Sequence, residues 1–186
     1  MKRIALILSL LVILTGCGVN NAELDRAMEL RARLLSAKGC SFDALITADF
    51  GDKTYTFSVA CQADGQENVT FSVKEPETIA GITGTISGEG GKLIFDDTAL
   101  TFELLTDGQV TPVSAGWLLI KTLAGGYVKS CGMDLDRIRL AVDDSYQNDA
   151  LHLDIWLGDG DLPVYAEILY KDRRILSLDV TNFRIL

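Results

Sequence analysis

The sequence predicts a mainly β fold with two helices (α+β): a curved antiparallel sheet forming an incomplete β-barrel, with an N-terminal helix and a mid-chain helix in its concave side. Three observations predict it. From Gly39 onward apolar residues recur with period two, turn signals break the pattern at short intervals, and only two stretches show helical spacing. A long antiparallel sheet with one apolar face has to curl or close to hide that face and its edges. The two helices are the only material available to fill its inside.

The first residues stand apart from the fold. Lys2 and Arg3 precede an apolar run from Ile4 to Leu14, interrupted only by Ser9, and Thr15, Gly16 and Cys17 follow. These are the charged, apolar and small-residue regions of a signal peptide. A run of about eleven residues is too short to span a hydrocarbon core, which takes roughly 20. Leu14-Thr15-Gly16-Cys17 resembles the lipobox of bacterial lipoproteins. That resemblance implies a diacylglyceryl group on the Cys17 thiol and a cut just before it. Residues 1–16 are then the signal, 17–20 a lipidated tether, and 21–186 a single domain held on the extracytoplasmic face of a cell membrane. Two acyl chains are what stable anchoring requires. The competing reading is an ordinary secreted protein with a chance cysteine near the cut.

Asn20 with Glu23 three residues on forms a capping pattern, and Gly39 is a stop signal, so residues 21–38 read as one amphipathic helix. Leu24, Ala27, Met28, Leu30, Leu34 and Leu35 make its apolar stripe, and Arg31 lies within it. An arginine there either snorkels to the edge or covers a polar group inside.

Residues 42–50 and 53–61 form a hairpin about Gly51-Asp52. Pairing Ile46 with Tyr55, Ala44 with Phe57 and Phe42 with Val59 sets Cys40 opposite Cys61 on one face. A slip of two residues keeps the face and makes the cysteines diagonal. A Cys40–Cys61 disulfide is the expectation in a compartment where disulfides persist; two buried thiols are the alternative. Cys131 has no evident partner.

Further turn signals stand at Asp64-Gly65, Gly90-Gly91, Asp107-Gly108, Asn148-Asp149, Gly158-Asp159-Gly160 and Lys171-Asp172. Between them Val69, Phe71 and Val73 share a face, as do Leu100, Phe102 and Leu104, then Ile138, Leu140 and Val142, then Leu151, Leu153, Ile155 and Leu157. Val164, Ala166, Ile168 and Tyr170 follow suit, and Leu176, Leu178 and Val180 complete an antiparallel meander with one apolar face. One interruption, residues 112–124, begins with Ser114 as a cap and carries Trp117, Leu118, Leu119, Ile120 and Leu123. A helix apolar nearly all round needs cover on more than one side, which places it inside the curve of the sheet. Either the helices complete a solid core or they act as lids over a cavity for acyl chains.

This order of elements resembles the lipoprotein-carrier superfamily with the LolA and LolB type fold, especially lipoproteins of that fold from Gram-positive bacteria. The resemblance is carried by the N-terminal helix, the first hairpin, Phe71-Ser72-Val73-Lys74-Glu75-Pro76-Glu77 leading into Ile79-Ala80-Gly81-Ile82, the Trp117 helix and the two closing strands. It covers nearly all of residues 21–186. It implies an incomplete barrel enclosing an apolar cavity that carries lipid or lipoprotein acyl chains in some members, while others use the same shell to contact proteins. The soluble carriers shuttle, whereas Cys17 anchors this chain.

Composition and motifs exclude several classes of function. Removing residues 1–16 takes away two basic residues and no acidic one, leaving 15 Lys plus Arg against 26 Asp plus Glu and a formal charge of −11. Such a surface is repelled by phosphates, so nucleic acid is not an expected partner. His152, the only histidine, lies by alternation beside Asp154 on the face opposite Leu151 and Leu153, which reads as a surface pair. One histidine gives a zinc site almost no material, and Asp134 with Asp136, Asp143 with Asp144 and Asp159 with Asp161 read as turn residues, not calcium ligands. Gly88-Glu89-Gly90-Gly91 leads into a strand and reads as a hairpin turn, not a phosphate loop. No enzyme, cofactor or metal is expected. The leading functional reading is a membrane-anchored lipoprotein binding lipid or an acyl chain, with Phe57, Phe71, Phe102, Trp117, Ile120 and Ile168 as candidate lining. The alternative is a protein-interaction module of the cell envelope that docks a partner such as a cell-wall enzyme, with no small-molecule ligand.

Overall fold

The computed structural model of the protein describes residues 22–65, 67–103, 105–106, 109–147 and 150–186. The signal segment, Cys17, the tether and Leu104 lie outside the described residues.

Helix α1 (Ala22–Ser36) is followed by β1 (Gly39–Asp49), β2 (Thr54–Asp64), β3 (Asn68–Glu75), β4 (Thr83–Ser87), β5 (Gly90–Phe95) and β6 (Thr98–Phe102). A small hairpin, β7 (Leu105–Thr106) and β8 (Gln109–Val110), leads into α2 (Ala115–Gly125). The chain closes with β9 (Tyr127–Asp134), β10 (Arg137–Asp143), β11 (His152–Leu157), β12 (Pro163–Tyr170) and β13 (Arg173–Ile185). Eleven strands form one antiparallel sheet in the order β6-β5-β4-β3-β2-β1-β13-β12-β11-β10-β9. The first strand therefore sits mid-sheet against the last. The segment from β6 to β9, α2 included, carries the chain from one edge to the other.

Glu23 and Asp25 in the first turn of α1 and Arg33 in its last match the helix dipole. Ala27, Leu30 and Leu34 bury the stripe, whereas Met28 and Leu35 face outward. The helix ends at Ser36, whose hydroxyl donates back to the Ala32 and Arg33 carbonyls. Gly39 is not its stop, as expected from sequence, but the first residue of β1. A Cβ there would collide with the Ala63 carbonyl of β2, so a close backbone approach requires the glycine.

The first hairpin adopts the slipped register. Ile46 pairs with Phe57, Ala44 with Val59, Phe42 with Cys61, and Cys40 with Ala63. Cys40 and Cys61 thus share the buried face diagonally, and the expected disulfide is not formed: both are free thiols. Burial pushes the Cys40 thiol up to about 11. Burial, with the Asp43 charge and Cys40, pushes Cys61 up to about 12. Such thiols stay protonated and unreactive. The turn between β4 and β5 falls at Gly88-Glu89, within the Gly88–Gly91 hairpin turn, and Gly90 and Gly91 enter β5.

The mid-chain helix begins later than its sequence suggests. Pro112–Ser114 is a single 3-10 turn. Ser114 is buried in a helical conformation, and its hydroxyl donates to the Thr111 carbonyl at 2.6 Å instead of capping α2. Nine of the eleven residues of α2 are buried. Gly116 lets the helix settle on β1 and β2, since a Cβ would stand 3.0 Å from Cys61 Sγ and 3.4 Å from the Phe42 ring.

One continuous core results. Leu30 of α1 and Leu119, Ile120 and Leu123 of α2 meet Ile46, Ile86, Leu140, Leu153, Ile155, Ile168 and Leu176 from the sheet, all fully buried. Each such side chain contributes about 1.5–3 kcal/mol through burial. The concave side of the sheet is filled by these side chains.

Candidate functional site

The six candidate lining residues go to three kinds of place. Ile120 and Ile168 lie wholly inside the core. Phe71 and Phe102 each cover a glycine on the paired strand: Phe71 pairs with Gly84 and Phe102 with Gly91, and a Cβ at either glycine would strike the ring. An aromatic ring laid over a cross-strand glycine restores packing that the glycine lacks. Phe57 and Trp117 border grooves. Phe57 meets Leu45, Lys74 and Pro76 at a groove of about 500 Å³. Trp117 lines a cleft of about 220 Å³ with Gly88, Leu118, Lys121 and Leu151. Its Nε1–H donates to the Glu67 carbonyl at 3.1 Å, and Lys121 Nζ stands 4.6 Å from the ring centroid.

Arg31 resolves the polar position in the stripe of α1. Its guanidinium donates to the Ala124 carbonyl at 3.1 Å and to the Gly126 carbonyl at 2.7 Å. It therefore caps the C-terminus of α2, where the last carbonyls of a helix lack internal partners. Partial burial holds its pKa below the ordinary arginine value.

A ladder of charges crosses the convex face of β9, β10 and β11. Lys129 Nζ lies 3.1 Å from Asp143. His152 Nδ1 donates to the other oxygen of Asp143 at 2.7 Å, and its Nε2 faces Asp154 at 3.5 Å. Arg139 grips Asp154 in a two-point contact at 3.1 and 2.6 Å. Asp154 is only 5 % exposed, so this pairing keeps a buried charge satisfied. Burial pulls the Asp143 carboxyl upward, but hydrogen bonds and charges from His152 and Lys129 outweigh it, and the group sits below the ordinary aspartate value. A general base must turn one ring nitrogen toward a nucleophile or substrate. Both nitrogens of His152 face carboxylates, which suits a structural tie. The sequence indicated Asp154 as its neighbour but not Asp143, because that pairing depends on the path of the loop between β10 and β11.

Tyr127 and Tyr146 meet beside this ladder with centroids 4.8 Å apart and the rings tilted by 46°, bordering a groove of about 620 Å³. Among the described residues no group of three or more His, Cys, Asp or Glu side chains is disposed to hold a metal ion. Asp161 instead pairs with Arg26 of α1.

The two ends of the sheet differ. The last strand on one side, β9, carries Lys129 and is packed against α1. At the other side, among the described residues, no strand pairs with the outer edge of β6. Leu100 in its centre is 56 % exposed, and Ile94 and Phe95 of β5 are exposed beside it. Sequence periodicity placed Leu100 with Phe102 on the core face; they do share a face, but the sheet here runs beyond the core.

The class these features define is an open, curved antiparallel sheet wrapped round two helices, with a filled concave side and, among the described residues, one apolar edge without a paired strand. No protein-family model matches the sequence, and no curated protein matches it. Solved structures similar to it include LolA superfamily and lipoprotein-sorting-type proteins. A LolA superfamily protein from Nitrosomonas europaea has a TM-score of 0.48 at 9% identity, over 88% of this chain and 93% of the other. A DUF1329 family protein from Desulfovibrio piger gives 0.49 at 10% identity, over 88% and 92%. A chain from the complex of the CwlD amidase with the GerS lipoprotein of Clostridioides difficile gives 0.42 at 10% identity, over 88% and 96%. No residue role follows from likenesses this general.

Proposed function

We propose that this chain is a non-catalytic lipoprotein of the cell envelope, anchored through Cys17 on the outer face of a membrane, whose domain docks a protein partner along the edge of β6. The observation that carries the docking role is that edge. An edge strand presents a row of backbone N–H and C=O groups ready to pair with another chain, and natural edges are ordinarily blunted by charge, proline or cover. Here Thr98, Ala99, Leu100 and Thr101 are all exposed and none is charged. A strand of a partner added there would gain backbone hydrogen bonds and apolar contacts with Leu100 on one face and Ala99 on the other. The filled concave side points the same way, since the interior volume is taken by the protein's own side chains. The formal charge of −11 in the mature part favours a partner with a basic surface.

A second reading, carriage of an acyl chain inside the sheet, is favoured by α2. This helix is apolar nearly all round, Lys121 being its exposed charge, and is tied by polar contacts chiefly at its ends, to Arg31 and to Glu67. Its displacement would expose an apolar cleft.

A photoreactive side chain placed in the full chain at Thr98 or Thr101, with Thr70 on the convex face as control, tests the docking role in intact cells. The expected result is one discrete crosslinked protein from the β6 positions, lost when Leu100→Lys is added. Equal crosslinking from Thr70, or none from β6, contradicts it.

A further inference from the structure

Seven non-glycine residues of the described chain have positive φ, and five of them are Asp or Asn, whose short polar side chains tolerate that conformation. Leu135 is the apolar exception. It sits at the tip of the β9–β10 hairpin with φ 56° and is 95 % exposed. Met133, two residues earlier, is 54 % exposed. A leucine at this place strains the turn and adds nothing to the core, whereas glycine or asparagine would relieve the strain. Such an outlier calls for something outside the fold to meet the side chain.

The place of the hairpin says what that is. Helix α1 starts at Ala22, five residues after Cys17, and five residues reach at most about 18 Å. The first turns of α1 lie against the hairpin's end of the molecule. Arg26 pairs with Asp161 in the loop between β11 and β12, and the charge of Glu23 acts on Cys131 of β9. Trp156 Nε1 donates to Asp134 at 2.7 Å and pins the hairpin base to the same end. A lipid on Cys17 therefore holds this end, and not the opposite rim, next to the bilayer.

We propose that the β9–β10 hairpin, through Leu135 at its tip and Met133 beside it, is a second membrane contact that enters the bilayer interface and fixes the domain's orientation about its anchor. This rests on the anchoring at Cys17 proposed above. Apolar side chains at the headgroup boundary add affinity in proportion to the apolar area they bury. Asp134, Asp136, Asp159 and Asp161 at the same end oppose anionic headgroups, with Arg26 and Arg137 as the counter-charges. The surface it fits is therefore zwitterionic lipid. Anionic lipid weakens the contact.

The test uses the full chain, acylated in a bacterial host and confirmed by intact mass, bound to phosphatidylcholine vesicles with brominated acyl chains. Leu135→Trp, and independently Met133→Trp, are expected to show several-fold more quenching by bromine than the unsubstituted protein, whose Trp117 and Trp156 supply the background. Replacing part of the lipid with phosphatidylglycerol is expected to reduce the difference. Leu135→Asn is expected to raise Tm while speeding desorption from vesicles several-fold, a combination that a purely structural role does not give. Acylated, vesicle-bound protein without added quenching overturns the hairpin contact and leaves the anchor standing. Blue-shifted but unquenched emission indicates a protein contact and overturns it too. Absence of acylation at Cys17 overturns both the anchor and the contact that depends on it.

Discussion

Thr122 holds the one buried side-chain polar atom without a hydrogen-bond partner among the described residues. An unsatisfied hydroxyl inside an apolar helix carries its desolvation cost with no return, and a methyl in its place keeps the shape. Thr122→Val is expected to raise stability by about 1 kcal/mol, read as a higher urea midpoint at unchanged slope. Arg139 presents the reverse case. Arg139→Met strands Asp154 with only the longer contact to His152, and a loss of about 2 kcal/mol is expected. Asp143 sets a pH dependence. Its carboxyl lies below the ordinary value in the folded state, so the unfolded chain takes up the proton first. The stability it contributes is complete above the ordinary aspartate range and fades as pH falls through the depressed value. Asp143→Asn is expected to lower stability at neutral pH and to flatten the loss on acidification below about pH 4, measured by urea unfolding across that range. Neither the Arg139–Asp154 pair, nor the contacts of Asp143, nor the unpartnered Thr122 hydroxyl was legible in the sequence beyond the His152–Asp154 neighbourhood, because each depends on which elements meet across long loops.

Elements were legible where periodicity is local. The stripe of α1, the alternating strands and the all-round apolar character of α2 each follow from a few consecutive residues. Register was not. A slip of two leaves every side chain on its face, so the hydrophobic pattern is equally content with Cys40 opposite Cys61 or opposite Ala63. The structure takes the second, and the disulfide expectation fell with it. The capping of α2 by Arg31 was visible only as an anomaly, a cation inside an apolar stripe, whose partner lies across the molecule. Arg31→Met is expected to lose about 1–2 kcal/mol through the abandoned carbonyls of Ala124 and Gly126. Gly116→Val is expected to cost about 1–3 kcal/mol as α2 is forced off Phe42 and Cys61. Thermal unfolding of both variants checks these values, and near-native stability for Gly116→Val would show that α2 shifts with little resistance.

At the scale of the whole molecule, the need to hide one apolar face and the sheet's edges foretold curvature and helices on the concave side. The position of β1 against β13 was beyond local pattern, since it joins the two ends of the domain. Whether the inside is cavity or core was also beyond it, because the answer depends on how side chains from distant strands share one volume. Leu30, Ile120, Leu123, Leu153 and Ile168 share it closely enough to be fully buried, and apolar surface left over lies outside, β6 and the β9–β10 hairpin among its places. The described residues enclose one continuous core, so the domain from residue 21 is suited to study without its anchor. Native mass spectrometry of that domain, purified from a bacterial host under non-denaturing conditions, tests most directly whether its interior is its own. The expected result is the mass of the polypeptide alone, unchanged after incubation with phospholipid vesicles; a stoichiometric phospholipid or fatty-acid adduct would contradict the account and make α2 the lid of a carrier.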